Sequence, residues 1–428
     1  MEHIVIIGNG IAGITAARHI RKASDCKITV ISGESDYFFS RTALMYVYMG
    51  HMKWGHLKPY EDWFWEKNRI ELKNAWVDHI DFQHKELSFS SEETLHYDKL
   101  ILATGSLPNR FGWPGENLNG VQGMVTKQDL EKLEERTSNI KQAVVIGGGL
   151  IGVELAEMLH TRKIPVTLLV REKGFWSGVL PPQDAKMISE HILAHGIDLR
   201  HETELEEILG DEQGNVRGIR TKSGEEITCE FVGLCAGVKP NINFLENLEI
   251  ETEKGILVNE FLETSIPDVY AIGDCAQQRK AIGERKPVEA VWYTGRIMGE
   301  TVARTINGNR TPYQPGNWFN SAKFFDIEYQ TYGWVFNKPG VNEQHFHWQH
   351  ESGEKAITIA FDTETGKFKG INTFGIRMRQ EVFDKWLNEG KTINHVLSNL
   401  KAANFDPEFY EHHEAEIFKS FTNNLQST

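Results

Sequence analysis

The chain has 428 residues, length for about three domains, and at 40% hydrophobic and 25% charged residues it has the composition of a globular protein with a full-sized core. A net charge of -14 argues against a general nucleic-acid or anionic-membrane surface, and no apolar run reaches the roughly 18 residues of a membrane span or forms a signal-type segment at the start. Four cysteines, Cys26, Cys229, Cys235 and Cys275, show no CxxC or cysteine/histidine metal spacing, so neither a disulfide framework nor a metal site is expected, and a reducing, cytoplasmic location is.

The chain opens on Ile4–Ile7, four β-favouring apolar residues, followed by Gly8-Asn9-Gly10-Ile11-Ala12-Gly13 and a helix-compatible run to Ile20. Strand, glycine turn and helix are the setting that gives G-x-G-x-x-G a physical meaning. Gly8 permits the tight turn, Gly10 lets backbone approach a pyrophosphate, and Gly13 lets helix pack on strand. The pyrophosphate then sits on the helix N-terminus. A second β-run, Lys27–Ile31, leads to Ser32-Gly33-Glu34, where Glu34 can accept hydrogen bonds from an adenosine ribose.

Arg41 follows in a loop, as a partner for a cofactor phosphate or as a solvated surface charge. An aromatic-rich helical region holds Tyr46, Tyr48, Trp54, Trp63, Phe64 and Trp65. Strands are expected over Trp76–Asp81, Glu86–Phe89 and Leu100–Ala103, the last ending at Thr104-Gly105-Ser106. Residues 107–123 read as a crossing linker.

Ala143–Ile146 and Gly147-Gly148-Gly149-Leu150-Ile151-Gly152 then repeat the opening, with a helix expected over Val153–His160 and a strand over Val166–Val170. Phe231–Gly237 echoes Leu100–Gly105. Two dinucleotide-binding units of one plan follow from this. The economical reason for two is electron transfer between a flavin and a nicotinamide; a duplicated fold with one dead site is the bland alternative. Val269–Ile272 leads into Gly273-Asp274, where Asp274 either accepts hydrogen bonds from a sugar-alcohol chain or caps a helix.

With these motifs in place, roughly residues 1–335 resemble the two-dinucleotide flavoprotein reductases of the pyridine nucleotide-disulfide oxidoreductase superfamily, on the ferredoxin, rubredoxin and nitrite reductase branch. The resemblance implies an α/β fold with two Rossmann-like domains, for FAD and NAD(P)H, and a C-terminal α+β domain. The expected boundaries are 1–112 with 250–315 for FAD, 118–249 for NAD(P)H, and 316–428 for an interface domain with a helical tail. It also implies FAD contacts at Gly8, Gly10, Ala12, Gly13, Glu34, Arg41, Val77, Ala103, Thr104, Gly105, Asp274, Glu289, Val291 and Trp292. The implied NAD(P)H contacts are Gly147, Gly149, Leu150, Ile151, Gly152, Glu154 and Gly237.

The departures are informative. Dithiol members of the superfamily carry cysteines after the first helix, where this chain has Phe39-Ser40-Arg41-Thr42-Ala43, and dithiol reduction requires a thiolate. Relatives place a lysine near flavin N5, paired with the glutamate matching Glu154; here that position is Tyr46. No acid-base catalyst is assigned, and Tyr46 and Glu154 are the candidates near N5. At the end of the strand Val166–Val170, an acid would favour NADH and an arginine NADPH. Val170-Arg171-Glu172 leans slightly to NADPH through Arg171, with Glu172 able to serve NADH.

From Trp318 onward strands are expected near Ala322–Tyr332 and over Gln344–Trp348, Ala356–Phe361 and Phe368–Phe374, then helices over Gln380–Asn388 and Thr392–Ala402, and a tail over His412–Phe421. The overall expectation is an FAD-dependent NAD(P)H oxidoreductase, not a dithiol reductase, that passes electrons to a small iron–sulfur or rubredoxin-type carrier. The alternatives are an NAD(P)H oxidase or quinone reductase, with a small-molecule acceptor, and a redox-sensing flavoprotein with little turnover. A homodimer is compatible with the family. An acidic carrier would need a basic cluster such as Lys53, Lys58, Lys323, Arg377 and Arg379.

Overall fold

The computed structural model describes residues 1–406, 408 and 411–426. It divides into two compact units, one of Met1–Phe111, Gln122–Ser138 and Gly237–Pro315, the other of Gly112–Val121, Asn139–Ala236 and Gly316–Thr428.

The first unit is built on a five-stranded sheet in the order Val269–Ala271, Lys99–Leu102, His3–Ile7, Lys27–Ser32, Ile70–Asn74, parallel throughout. The central strands are apolar runs because such a sheet is buried on both faces, and Ile4, Val5, Ile6, Leu100, Ile101 and Leu102 are buried. Helix Ile11–Ala23 presents Ala12, Ala16 and Ala17 to the interior. Their small size lets helix Trp292–Ile306 cross closely: a Cβ on Gly299 would lie 2.5 Å from the Ala12 carbonyl oxygen. The chain order leaves the switch in connection direction beside His3–Ile7, with Gly8 at its carboxyl end, where open α/β sheets bind their ligands.

The second unit repeats this plan. Asp198–Arg200, Val166–Leu169, Ala143–Ile146 and Phe231–Leu234 are parallel neighbours in that order. Each unit also inserts an antiparallel three-stranded sheet at the equivalent point of its chain, Val77–Asp81, Glu86–Phe89, Thr94–His96 in the first and Leu205–Gly210, Val216–Thr221, Glu226–Thr228 in the second. The duplication therefore extends well beyond the glycine loops.

The second unit also holds an antiparallel sheet in the order Phe319–Phe324, Ile327–Gly333, Phe368–Phe374, Ala356–Asp362, Glu343–Gln349. The strand expected near Ala322–Tyr332 is thus a tight hairpin turning at Phe325-Asp326, with Phe325 at φ +56°. The helix expected over Thr392–Ala402 is shorter, Ile393–Ser398, with Thr392 as its cap accepting from the His395 amide at 3.3 Å and a 3-10 turn at Leu400–Ala403. The tail helix is Glu414–Gln426. Two helices escape a pattern search. Lys127–Arg136 is announced only by the capping box Thr126/Asp129, and Pro182–Ala194 by proline in its first turn.

Candidate functional site

The first glycine loop is shaped by what each missing side chain makes room for. A Cβ on Gly8, at φ +114°, would lie 2.1 Å from the Ala103 carbonyl oxygen, and one on Gly13 would lie 2.0 Å from the Gly8 carbonyl oxygen. Gly10, by contrast, faces nothing within 4 Å. Two glycines thus serve the protein's own packing, and the middle one leaves an open backbone face at the start of a helix. A diphosphate fits that face.

The second loop has the same signature. A Cβ on Gly147, at φ +126°, would lie 2.3 Å from the Cys235 carbonyl oxygen, one on Gly152 would lie 2.0 Å from the Gly147 carbonyl oxygen, and Gly149 faces nothing within 4 Å. Cys235 thereby takes the place of Ala103. Leu150 and Ile151 form the first turn of helix Leu150–Thr161, for which Gly149 is the cap. Gly237, at φ +87°, belongs to the first unit, where its carbonyl accepts from the Asn109 amide at 3.0 Å.

Around Gly8 the first unit gathers its other predicted residues. The Ala103 amide donates to the Ile7 carbonyl at 2.8 Å, and Thr104 Oγ1 donates to the Asn241 carbonyl at 2.8 Å. A Cβ on Gly273 would lie 3.0 Å from that of Ala12, and one on Gly295 3.8 Å from the Gly273 Cα. The helices starting at Ile11 and Trp292 and the Gly273-Asp274 turn therefore converge. Burial pushes the Asp274 carboxyl up, against a 2.9 Å hydrogen bond from Ser106 Oγ.

Glu34 and Arg41 meet one another: Nη1 and Nη2 of Arg41 donate to Oε1 and Oε2 of Glu34 at 2.8 and 2.6 Å. Val77 opens a strand, and the preceding Trp76 lies flat against Gly33, where a Cβ would come within 2.3 Å of its ring. Trp76 is 66% exposed, an aromatic face beside the predicted ribose acid that sequence reasoning missed. Glu289 forms a buried pair with Arg285 at 2.9 Å and accepts from Thr294 Oγ1 at 3.2 Å, just before Val291 caps the helix that Trp292 begins. The carbonyl of Tyr46 accepts the amides of His51 and Met52.

In the second unit burial pushes the Glu154 carboxyl up to about 7; Glu157 one turn later adds to the shift and Lys323 opposes it. Lys323 Nζ pairs with Glu157 Oε1 at 2.6 Å. Val170 is fully buried against Gly148, a Cβ on which would lie 2.7 Å from Val170 Cγ1. The polar residues at this strand end are Arg171 and Glu172, which pair at 2.9 Å on the surface. Trp176, at φ +52°, also escaped sequence reasoning; its amide donates to the Gly148 carbonyl at 3.1 Å and closes the loop from behind.

All four cysteines are buried, and none forms a disulfide. Burial pushes the Cys229 thiol up to about 12 and raises that of Cys275, which leaves these thiols inert. No helix of the described residues is long and apolar enough to cross a membrane.

Comparison with known proteins agrees with this arrangement. The family model described as pyridine nucleotide-disulphide oxidoreductase matches residues 2–299. A nitrite reductase [NAD(P)H] of Bacillus subtilis is 29% identical over 86% of this chain and 44% of its own, so the chain spans under half the length of that relative. The ferredoxin reductase subunit of a 5,5'-dehydrodivanillate O-demethylase from a Sphingobium species is 31% identical over 77% of this chain and 81% of its own. Among solved structures, a ferredoxin reductase from Rhodopseudomonas palustris shares the fold with a TM-score of 0.80 at 22% identity, covering 96% of this chain and 98% of its own. With two repeated glycine cradles and no cysteine pair after the first helix, the chain belongs to the pyridine nucleotide-disulphide oxidoreductase family, on its ferredoxin, rubredoxin and nitrite reductase branch.

Proposed function

We propose that the protein is an FAD-dependent NAD(P)H oxidoreductase that passes electrons from a reduced nicotinamide to a second acceptor, a small iron–sulfur or rubredoxin-type carrier. The observation that carries this reading is the repeated cradle, packed at Gly8/Gly13 and Gly147/Gly152 and open at Gly10 and Gly149. Gly10 and the amides of the Ile11 helix would hold the FAD pyrophosphate, Glu34 its ribose and Asp274 its ribityl chain. The loop from Gly147 to Gly152 would hold the nicotinamide dinucleotide. When bound, FAD supplies a flavin that accepts a hydride from the nicotinamide and releases electrons onward. The protein's own residues bind and orient.

Arg171, exposed at the end of its strand beside a buried Val170, supports NADPH as the preferred donor. Anaerobic mixing with NADPH or NADH in a stopped-flow spectrometer tests both points. Flavin bleaching at least several-fold faster with NADPH is the expected result, and bleaching by neither would overturn the two-site reading.

A small-molecule acceptor, a quinone or oxygen, is the second reading. Several cations that an acidic carrier would need are already matched: Lys58 pairs with Asp62, Lys323 with Glu157 and Arg377 with Glu328. Turnover with ferredoxin or rubredoxin faster than with free flavin supports the carrier; quinone turnover alone supports the alternative.

A further inference from the structure

One cluster of ligating side chains lies outside both cradles. His191 and His195 are four residues apart on helix Pro182–Ala194 and its cap, so they share one face. Asp326, at the turn of the hairpin Phe319–Gly333, comes up against that face. Its Oδ1 lies 2.6 Å from His191 Nε2 and 3.6 Å from His195 Nε2. One ligand atom from each residue fits within 4.8 Å of the others.

We propose that His191, His195 and Asp326 form a divalent-metal site, for Zn²⁺ or a neighbouring first-row ion, that clasps the Pro182–Ala194 helix to the hairpin. Two imidazoles and a carboxylate are the donor set such ions take, with the remaining position left to water. Nδ1 of His195 meets the His191 carbonyl at 2.9 Å. Donation to that carbonyl fixes the tautomer and leaves the Nε2 lone pair for the metal, as outer hydrogen bonds do in metal sites.

The support is rigid on one side and adjustable on the other. His195 stacks on Phe325 with ring centroids 4.4 Å apart, and Phe325 is buried at a positive φ. The Asp326 side chain is 68% exposed. Ligand atoms of a tetrahedral site with bonds near 2.0 Å stand about 3.3 Å apart, so the 3.6 Å separation already suits it. The 2.6 Å one opens by rotation of an exposed carboxylate.

The other candidate cluster, His350, His413 and Glu416, is less suitable. Lys355 Nζ stands 3.4 Å from His413 Nε2, placing a cation where the metal would bind.

The test uses the FAD-loaded protein, stripped with a chelator and dialysed against Zn²⁺, with bound zinc measured per chain. About one zinc per chain is expected, with a thermal midpoint raised by about 5 °C when free Zn²⁺ is a hundredfold above Kd. His195→Gln and Asp326→Asn should each weaken binding at least tenfold while flavin content and the metal-free midpoint stay near those of the parent. His413→Gln should leave zinc binding unchanged. No retained zinc, or zinc retained equally by His195→Gln and Asp326→Asn, would overturn the site and leave a plain His–Asp network.

Discussion

Arg41 clasps Glu34 with two parallel hydrogen bonds of 2.6 and 2.8 Å, and both partners also hold the start of helix Lys127–Arg136: Arg41 Nη1 donates to the Val125 carbonyl at 2.6 Å, and the Lys127 amide donates to Glu34 Oε1 at 2.9 Å. The pair is part-exposed, at 39% and 14%, so it contributes about 1 kcal/mol to stability. Its larger consequence is to orient the acid proposed to hold the ribose. Glu34→Gln should lower the thermal midpoint by only a few degrees yet weaken FAD binding about tenfold or more, since a hydrogen bond to a charged group contributes about 1.5–3 kcal/mol. Flavin fluorescence on dilution reads the second effect, and unchanged FAD retention would remove Glu34 from the site.

The open glycines separate folding from binding. A Cβ on Gly10 or Gly149 meets nothing within 4 Å, and neither residue has a positive φ. Gly10→Ala should therefore fold with near-parental stability and lose FAD, while Gly149→Ala should keep FAD and lose reduction by NAD(P)H. Gly13→Ala and Gly152→Ala, which place a methyl about 2 Å from a carbonyl oxygen, should also destabilise the protein by several kcal/mol. Thermal melts with absorbance at 450 nm, a flavin property, distinguish the two pairs. Loss of FAD from Gly149→Ala would exchange the roles of the two cradles.

The glycine loops were legible because each residue type answers a local steric demand, and the duplicated strand–loop–helix pattern sets the topology. What escaped was non-local. Nothing near Gly33 announces that Trp76 will lie on it, and Trp176 closes over Gly148 through its backbone, which has no sequence signature. His191 and His195 stand at helical spacing, but the carboxylate between them comes from Asp326, on a hairpin far along the chain. Helix Lys127–Arg136 is mostly charged on its exposed face, so its periodicity is faint and only its capping box marks it.

Glu154 gives a pH signature. Its carboxyl titrates near 7 when folded because it is buried and close to Glu157, against about 4.3 in an unfolded chain. A raised carboxyl pKa favours the protonated folded form, so this group costs no stability below about pH 4 and costs progressively more as pH rises to 7. Above that the penalty is constant, on the order of 3–4 kcal/mol. Glu154→Gln should accordingly raise the thermal midpoint at pH 8 and have little effect on it below about pH 4. Lys323→Met removes the opposing cation and should move the inflection to higher pH. A midpoint difference independent of pH would mean that Glu154 is ionised throughout.

Donor preference rests on Arg171. If its guanidinium meets a 2′-phosphate, Arg171→Ala should lower kcat/KM for NADPH by about 10- to 100-fold, the loss of one charge-assisted contact, and change that for NADH by less than about threefold. Glu172→Gln should do little to either. A larger loss with NADH than with NADPH would assign the ribose to Glu172.

Asp184 is a buried polar anchor in the second unit. Fully buried near the start of helix Pro182–Ala194, it accepts from Thr358 Oγ1 at 2.6 Å and Asn372 Nδ2 at 3.1 Å, with His347 Nδ1 at 3.2 Å. These partners lie on adjacent strands of the antiparallel sheet, so one carboxylate ties that sheet to the helix bearing His191. Asp184→Ala leaves the buried Thr358 hydroxyl and Asn372 amide without their acceptor and should cost about 3–5 kcal/mol. Asp184→Asn keeps the shape and one acceptor oxygen but turns an amide donor toward other donors, and should cost about 2 kcal/mol. Urea unfolding followed by tryptophan fluorescence measures both, and FAD fluorescence reads the first unit separately. If the network is local to the second unit, Asp184→Ala moves only part of the tryptophan transition, to which both units contribute, to lower urea while FAD release keeps its midpoint; coincident shifts of the whole tryptophan signal and of FAD release would show that the two units unfold as one.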